Sequence, residues 1–426
     1  MTTLLKNGMV LTPLGFEKKD VFVSNGKVFV SSTDTFDTDH ASSIIDCTDR
    51  IIIPGFTDVH VHLREPGFFY KETIASGTAA AAKGGYTCVC PMPNLKPVPS
   101  DMESLQTQLS IIEKDAKVKT IPYGTITQNQ DGRSALSDME AMAPYVCAFS
   151  DDGKGVQTGD LMEEAMEKAK ELGKLIVAHC EDESQLHGGY IHDGKYAKAH
   201  NHKGICSESE WGQVKRDVQL AEKTGASYHV CHISTKETVD IIRQAKARGV
   251  DVTCETGPHY LVLCDADLQE DGRFKMNPPL RSAADRDALI EGLCDGTIDM
   301  IATDHAPHSE EEKSKGLAGS ALGIVGLETS FPILYTHLVK KGIISLEKLI
   351  EVMSINPRRR FGFEGGVIED GAPADLTVID LNRHFSIDPS DFVSMGKATP
   401  FTDWKVYGKV VMTLVEGEIV YDETNA

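Results

Sequence analysis

The chain has 426 residues, with 43 Lys and Arg against 64 Asp and Glu, a formal net charge of -21 and a pI near 5.1. That length allows a large buried core, and the acidic balance argues against nucleic acid or an anionic membrane surface as partner. No apolar run reaches the roughly 18 residues of a membrane span, the first residues lack an apolar signal core, and a cytoplasmic protein with reduced thiols is expected.

Residues 1–53 alternate short apolar runs with Asn7-Gly8 and Asn25-Gly26, a pattern that predicts short strands joined by tight turns. The acidic, Ser/Thr-rich SSTDTFDTD (31–39) is expected to be a solvated loop. From residue 55 to 366 one theme repeats: an apolar strand, a polar tip, a helix. The predicted strands are TDVHVHL (57–63), YTCVC (86–90), KTIPYG (119–124), YVCAFS (145–150), LIVAH (175–179), YHVCH (228–232), DVTCE (251–255) and MIATD (300–304). Helical periodicity follows most of them, as in KETIASGTAAAA (71–82), LMEEAMEKAKELG (161–173) and TVDIIRQAKARG (238–249). The last two stop at glycine, the residue that most easily takes the left-handed C-terminal position. Eight buried strands alternating with helices predict a (β/α)8 TIM-type barrel over 55–366, an open doubly wound sheet being the alternative that pattern alone leaves. Residues 367–426 return to strand texture in ADLTVIDL (374–381) and KVVMTLVEGEIVY (409–421). With residues 1–54 they are expected to form one composite β domain.

Barrel active sites stand at the C-terminal ends of the strands, so the tips carry the argument. In a strand, residues i and i+2 share a face, with Cα atoms roughly 6.5 to 7 Å apart. Asp58, His60, His62 and Arg64 are therefore expected on one face of the first strand, two imidazoles converging as zinc ligands do. Further tips read PMPN (91–94), SDDG (150–153), AHCED (178–182), CHIS (231–234) and TDHAPH (303–308). Four histidines, His60, His62, His179 and His232, with two aspartates exceed the ligands of one tetrahedral zinc. Two metals about 3.5 to 4 Å apart, sharing a carboxylate, use the whole set and activate water for hydrolysis of a carbonyl or phosphoryl centre. Strand neighbours point oppositely, so Asp151 and Asp152 cannot both face the metals. If Asp152 does, Val146, Ala148 and Ser150 face the barrel and Phe149 faces the helices. The ten cysteines fall mostly in strand-like runs, and Cys88-Val-Cys90 lacks a second pair at finger spacing, so core packing is expected of them.

HVHLREPG (60–67), CPMPN (90–94), FSDDG (149–153), AHCED (178–182), HVCHISTKE (229–237), KMNPPLR (275–281) and IATDHAPH (301–308), in this order across essentially the whole chain, resemble the bacterial type I dihydroorotases of the amidohydrolase superfamily. The resemblance implies a barrel with a β domain built from both termini, and two zinc ions per subunit. It implies that His60, His62 and Asp152 bind one zinc, that Asp152 bridges to a second held by His179 and His232, and that Asp304 is both ligand and proton shuttle. Implied substrate contacts are His62, Arg64, Asn94, Asn277, His308, Leu322 and the Gly323 backbone. Two positions depart from the pattern: Leu95, where Thr is usual, and Leu322, where an aromatic is usual. No lysine stands on the fourth strand to serve as a carboxylated bridge, since Lys154 lies beyond its tip.

The implied reaction is reversible hydrolysis of the cyclic amide of dihydroorotate to N-carbamoyl-aspartate, a step of pyrimidine synthesis. The implied assembly is a homodimer that can associate with aspartate carbamoyltransferase. The alternatives are another cyclic amidase, of dihydropyrimidinase, hydantoinase or allantoinase type, and a non-catalytic scaffold for that transferase. The histidines within HGGYIHDGKYAKAHNH (187–202) are expected in a solvated loop, His259 beside the site or in packing, and His337 in packing or at the surface. The segment 309–321 reads as a solvated charged run or as a lid.

Overall fold

The computed structural model describes residues 2–30 and 41–423, so the acidic stretch 31–39 lies outside the described residues. The N-terminal strands are β1 (Thr2–Thr12), β2 (Gly15–Ser24), β3 (Lys27–Phe29), β4 (Ser43–Asp46) and β5 (Ile51–Pro54). Asn25-Gly26 forms the expected turn, both residues having positive φ between β2 and β3. Asn7-Gly8 does not. Asn7, at φ 66, sits inside β1 where the register to β2 shifts, so the pair is a β-bulge. Gly8 packs closely there: a Cβ on it would lie 2.6 Å from Ile52 Cδ1, so Ile52 would have to shift.

The barrel follows with β6 (Phe56–Val61), β7 (Tyr86–Pro91), β8 (Lys119–Thr120) and β9 (Ile176–Ala178), then a two-stranded excursion of β10 (Ile191–His192) and β11 (Gly204–Ile205), then β12 (Tyr228–Val230), β13 (Val252–Thr256) and β14 (Met300–Ile301). β6, β7 and β8 pair in parallel, as do β9, β12, β13 and β14. Single bridges from Phe149 to Gly124 and Ile176 join the two sets, and a Val61–His305 bridge closes the ring. The expected fourth strand is irregular: Phe149 makes its bridges, and Cys147, Ala148 and Ser150 hydrogen-bond through the backbone to the 122–124 segment. A bend at Cys147 breaks the alternation: Ala148 lines the interior and Phe149 packs outward as expected, but Val146 joins the outer cluster.

The interior layer is Val59, Cys90, Met92, Tyr123, Ala148, Val177, Cys231, Met300 and Ala302. The larger outer cluster packs strands against helices such as Ile74–Lys83, Gly159–Glu171 and Lys236–Ala247. Thr73, Thr158 and Thr235 cap these at the N-terminus, and Gly173 and Gly249 follow the last two with positive φ. The C-terminal strands β15 (Leu376–Ser386), β16 (Lys405–Val415) and β17 (Glu418–Asp422) return to the N-terminal ones, β15 running antiparallel to β5, in one sheet ordered β17-β16-β15-β5-β1-β2-β3 with β4 on β1. The molecule is a TIM barrel with an accessory β-sheet drawn from both ends of the chain. Among the described residues, no helix is long and apolar enough to cross a membrane.

Candidate active site

The strand tips bring the expected side chains to one mouth. β6 shifts register between Asp58 and Val61, which sends His60 and His62 into the site and Val59 into the interior layer. Asp58 does not share their surroundings: its carboxylate accepts from His60 N at 3.1 Å and from Thr303 N at 3.2 Å, tying the first strand to the eighth, and burial pushes it up to about 7. Arg64, His232 and Asp304 have φ of 62, 30 and 48. Left-handed backbone is uncommon outside glycine, and each of these residues stands just after a barrel strand, β6, β12 or β14.

Asp152 is central. Its Oδ1 lies 3.3 Å from His60 Nε2, 3.5 Å from His232 Nε2 and 3.6 Å from His179 Nδ1, and its Oδ2 lies 3.5 Å from His62 Nε2. Asp304 Oδ1 is 3.1 Å from His62 Nε2 and 3.6 Å from His60 Nε2. Two donor trios result, His60/His62/Asp304 and Asp152/His179/His232, each with its ligand atoms within 4.8 Å of one another, and Asp152 also reaches the first. Burial opposes ionisation of both carboxyls. His60 and its neighbours outweigh it at Asp152, as His62 and His60 do at Asp304, so both stay ionised below the usual range.

The donor chemistry fits a zinc pair. Asp152 Oδ1 and His60 Nε2 are buried, make no hydrogen bond and face each other across 3.3 Å, a wasteful arrangement unless a cation uses both lone pairs. The opposite edge of the His60 ring is fixed by Glu255 at 2.8 Å from Nδ1, which sets the tautomer with Nε2 towards the site. Glu255, on β13, also meets His229 Nε2 at 3.1 Å. Sequence reading passed over it, although its place at the polar end of DVTCE was a signal. Cys231 forms a third trio with His60 and Asp152, its thiol pushed up by burial. Lys154, beyond the fourth tip, pairs with Glu183 nearer the surface. This is the donor set of a binuclear zinc site.

A cavity of about 200 Å³ opens beside it, lined by every expected site residue except His60, which lies behind. Arg64 donates from Nε to Pro307 O at 3.2 Å, and burial brings its pKa down to about 10. His308 donates from Nε2 to Leu322 O at 2.8 Å, while Lys71 lies 3.3 Å from Nδ1. Burial, then Arg64 and Lys71, push His308 down to about 3, so it is neutral. Lys71 had no signal in the sequence, since it reaches His308 across 237 positions. Asn94 spends Nδ2 on Asp152 O at 2.7 Å and Asn277 spends Nδ2 on Glu181 Oε1 at 2.9 Å; both amide oxygens are buried without a partner. Leu322 lines the cavity, whereas Leu95 is buried away from it. His259 is buried against Tyr260 with Nε2 unpartnered, and His337 packs on Trp404. The 187–202 segment is more than a loop: it holds β10 and the helix Lys195–His200, and His202 bonds Tyr190 and Glu270 outside the trios.

A barrel whose mouth carries two trios joined by one carboxylate defines a metal-dependent hydrolase of the amidohydrolase class. The family model described as dihydro-orotase-like matches residues 49–238. The dihydroorotase of Fusobacterium nucleatum is 50% identical over 419 residues, 98% of either chain, and that of Listeria innocua is 50% identical over 423 residues, 99% of either chain. Among solved structures, the L-hydantoinase (dihydropyrimidinase) of Arthrobacter aurescens matches with a TM-score of 0.87 at 27% identity, over 99% of this chain and 96% of its own. The chain belongs to the dihydroorotase family.

Proposed function

We propose that this site opens the cyclic amide of dihydroorotate to N-carbamoyl-aspartate, and closes it in reverse, using the residues that meet in the cavity. The observation that carries the reading is the placement of Arg64, neutral His308 and two unpartnered Asn oxygens opposite the two donor trios. A carboxylate and a ring with N–H groups match that wall in charge and hydrogen bonding. Arg64 spends Nε on Pro307 and holds Nη2 3.3 Å from His308 Nε2, and its guanidinium faces the cavity to clamp the substrate carboxylate. The oxygens of Asn94 and Asn277 suit ring N–H donors, and the Gly323 backbone closes the wall.

His60, His62, Asp152, His179, His232 and Asp304 would hold the two zinc ions. A zinc pair, when bound, supplies a water-derived nucleophile near neutral pH and polarises the carbonyl under attack. Asp304, ionised and lining the cavity, accepts the proton of the attacking water and delivers it to the ring nitrogen as the C–N bond breaks. The same carboxylate moves the same proton in ring closure. Assay of ring opening of dihydroorotate beside hydantoin, dihydrouracil and allantoin tests the reading; preference for a neutral ring would move the enzyme to the hydantoinase type.

The same proposal places residues 1–54 and 367–426 in one domain and 55–366 in the other, supported by the β5–β15 pairing. It places the enzyme in the cytoplasm, supported by ten cysteines outside any disulfide. A homodimer and association with aspartate carbamoyltransferase complete it, both readable by light scattering of the purified chain alone and mixed with the transferase.

A further inference from the structure

The segment after the eighth strand tip carries a buried cation that the reaction does not use. Lys313 ends the short helix Glu310–Lys313, and its side chain turns inward, the residue being only 7% exposed. Nζ donates to three backbone oxygens: Lys275 O at 3.0 Å, Ala321 O at 2.7 Å and Gly323 O at 2.6 Å. An ammonium has three N–H groups, and here each meets a carbonyl. Burial and then Lys275 lower its pKa to about 7, while the three bonds that Nζ donates favour the charged form.

Of the three oxygens, that of Gly323 belongs to a residue lining the substrate cavity, and the other two belong to segments that carry lining residues. Lys275 stands two residues before Asn277, and Ala321 and Gly323 flank Leu322. Gly323 N donates to Lys275 O at 3.1 Å, so the two walls touch where Lys313 binds both. The packing leaves little slack: a Cβ on Gly323, at φ +136, would lie 2.8 Å from Ala306 Cβ and 3.1 Å from His308 Nε2.

We infer that Lys313 is a positioning residue whose ammonium, seated among these three carbonyls, clamps the segments bearing Asn277, Leu322 and Gly323 and so sets the shape of the substrate pocket. The inference rests on the proposed substrate contacts and adds a residue that touches none of the reacting atoms. It also assigns the 309–321 segment an anchored wall rather than a swinging lid.

The test compares Lys313→Met, which keeps the buried stem and removes the donors, with Lys313→Ala assayed with and without ethylammonium. Asn277→Ala serves as the direct-contact control. With the clamp lost, KM for dihydroorotate is expected to rise by about tenfold to 10²-fold, the range of small misplacements in a site, while kcat changes far less and both zinc ions remain. Ethylammonium should lower the KM of Lys313→Ala and leave that of Lys313→Met unchanged. If Asn277→Ala raises KM and neither Lys313 variant does, the clamp is wrong and the substrate site stands. If none of the three raises KM, the substrate site itself is misplaced. Loss of zinc together with kcat at unchanged KM would assign Lys313 to the metal centre and overturn the inference, as would failure of both variants to fold even with ethylammonium.

Discussion

Two adjacent aspartates divide the labour at the fourth tip. Asp151 turns away from the histidines: Oδ1 accepts from Ile126 N at 2.8 Å and Thr127 N at 3.0 Å, and Oδ2 accepts from the Thr127 hydroxyl and from Gly132 N. It builds the 126–132 loop, whereas Asp152 faces all four histidines. Asp152→Ala is therefore expected to abolish zinc binding and turnover together, and Asp151→Ala to lower the thermal midpoint while keeping most of its zinc. Metal analysis beside a melting curve decides, and the reverse ranking would exchange the two roles. Asp304→Asn keeps the shape and one weak oxygen ligand but removes the proposed proton acceptor, so kcat should fall by about 10² to 10⁴-fold or more in both directions while zinc content falls less. Near-normal turnover at full metal would pass the shuttle to another group, His308 first. Glu255→Gln should weaken zinc by about 10 to 100-fold, the usual cost of losing a carboxylate that orients a ligating histidine, as measured by competition with a chelator. The histidines and aspartates were legible because their chemistry is rare at strand tips. Glu181 and Lys71 were not, because a long side chain's partner depends on how distant loops fold together.

At the scale of elements, the barrel strands read as strands, even β8 and β14 that pair over two residues, whereas the short excursion β10–β11 and the irregular fourth strand did not read cleanly. The run YVCAFS has the apolar content of a strand and hydrogen-bonds to the 122–124 segment over 147–150, yet only Phe149 bridges, because the bend at Cys147 breaks the regular alternation before it. Asn7-Gly8 has the composition of a hairpin turn, yet the strand continues through it; composition reports the allowed φ, and long-range pairing decides whether the chain reverses. The sixth tip shows how a helix fixes a ligand. Buried Glu210, on helix Glu208–Thr224, accepts from Ser234 N at 3.0 Å, Thr235 N at 3.1 Å, Thr235 Oγ1 and Thr238 Oγ1 at 2.9 Å, and faces Arg281 at 3.8 Å. Glu210→Ala leaves those donors and a buried guanidinium uncompensated, at a cost of about 3 kcal/mol or more. The expected outcome is a thermal midpoint lower by several degrees and weaker zinc retention through His232, two residues before Ser234; an unchanged midpoint would mean water replaces the carboxylate there.

At the scale of the molecule, the repeat of strand, tip and helix made the barrel legible, and the matching texture of the two ends anticipated that they meet. The order of the shared sheet was not legible, since short strands of similar composition pair equally well on paper, and their register depends on which face the fold buries. The metal centre sits at one end of a barrel whose apolar interior layer touches it through Cys231 and extends away from it, so stripped protein should stay folded and regain activity when zinc returns. The most direct measurement is zinc content and ring-opening rate on one sample, titrated from metal-free protein with dihydroorotate as substrate. The expected result is activity that rises to a plateau at about two zinc ions per chain, with hydantoin, dihydrouracil and allantoin turned over far more slowly. Full activity in metal-free protein, or a plateau reached only with a neutral ring, would contradict it.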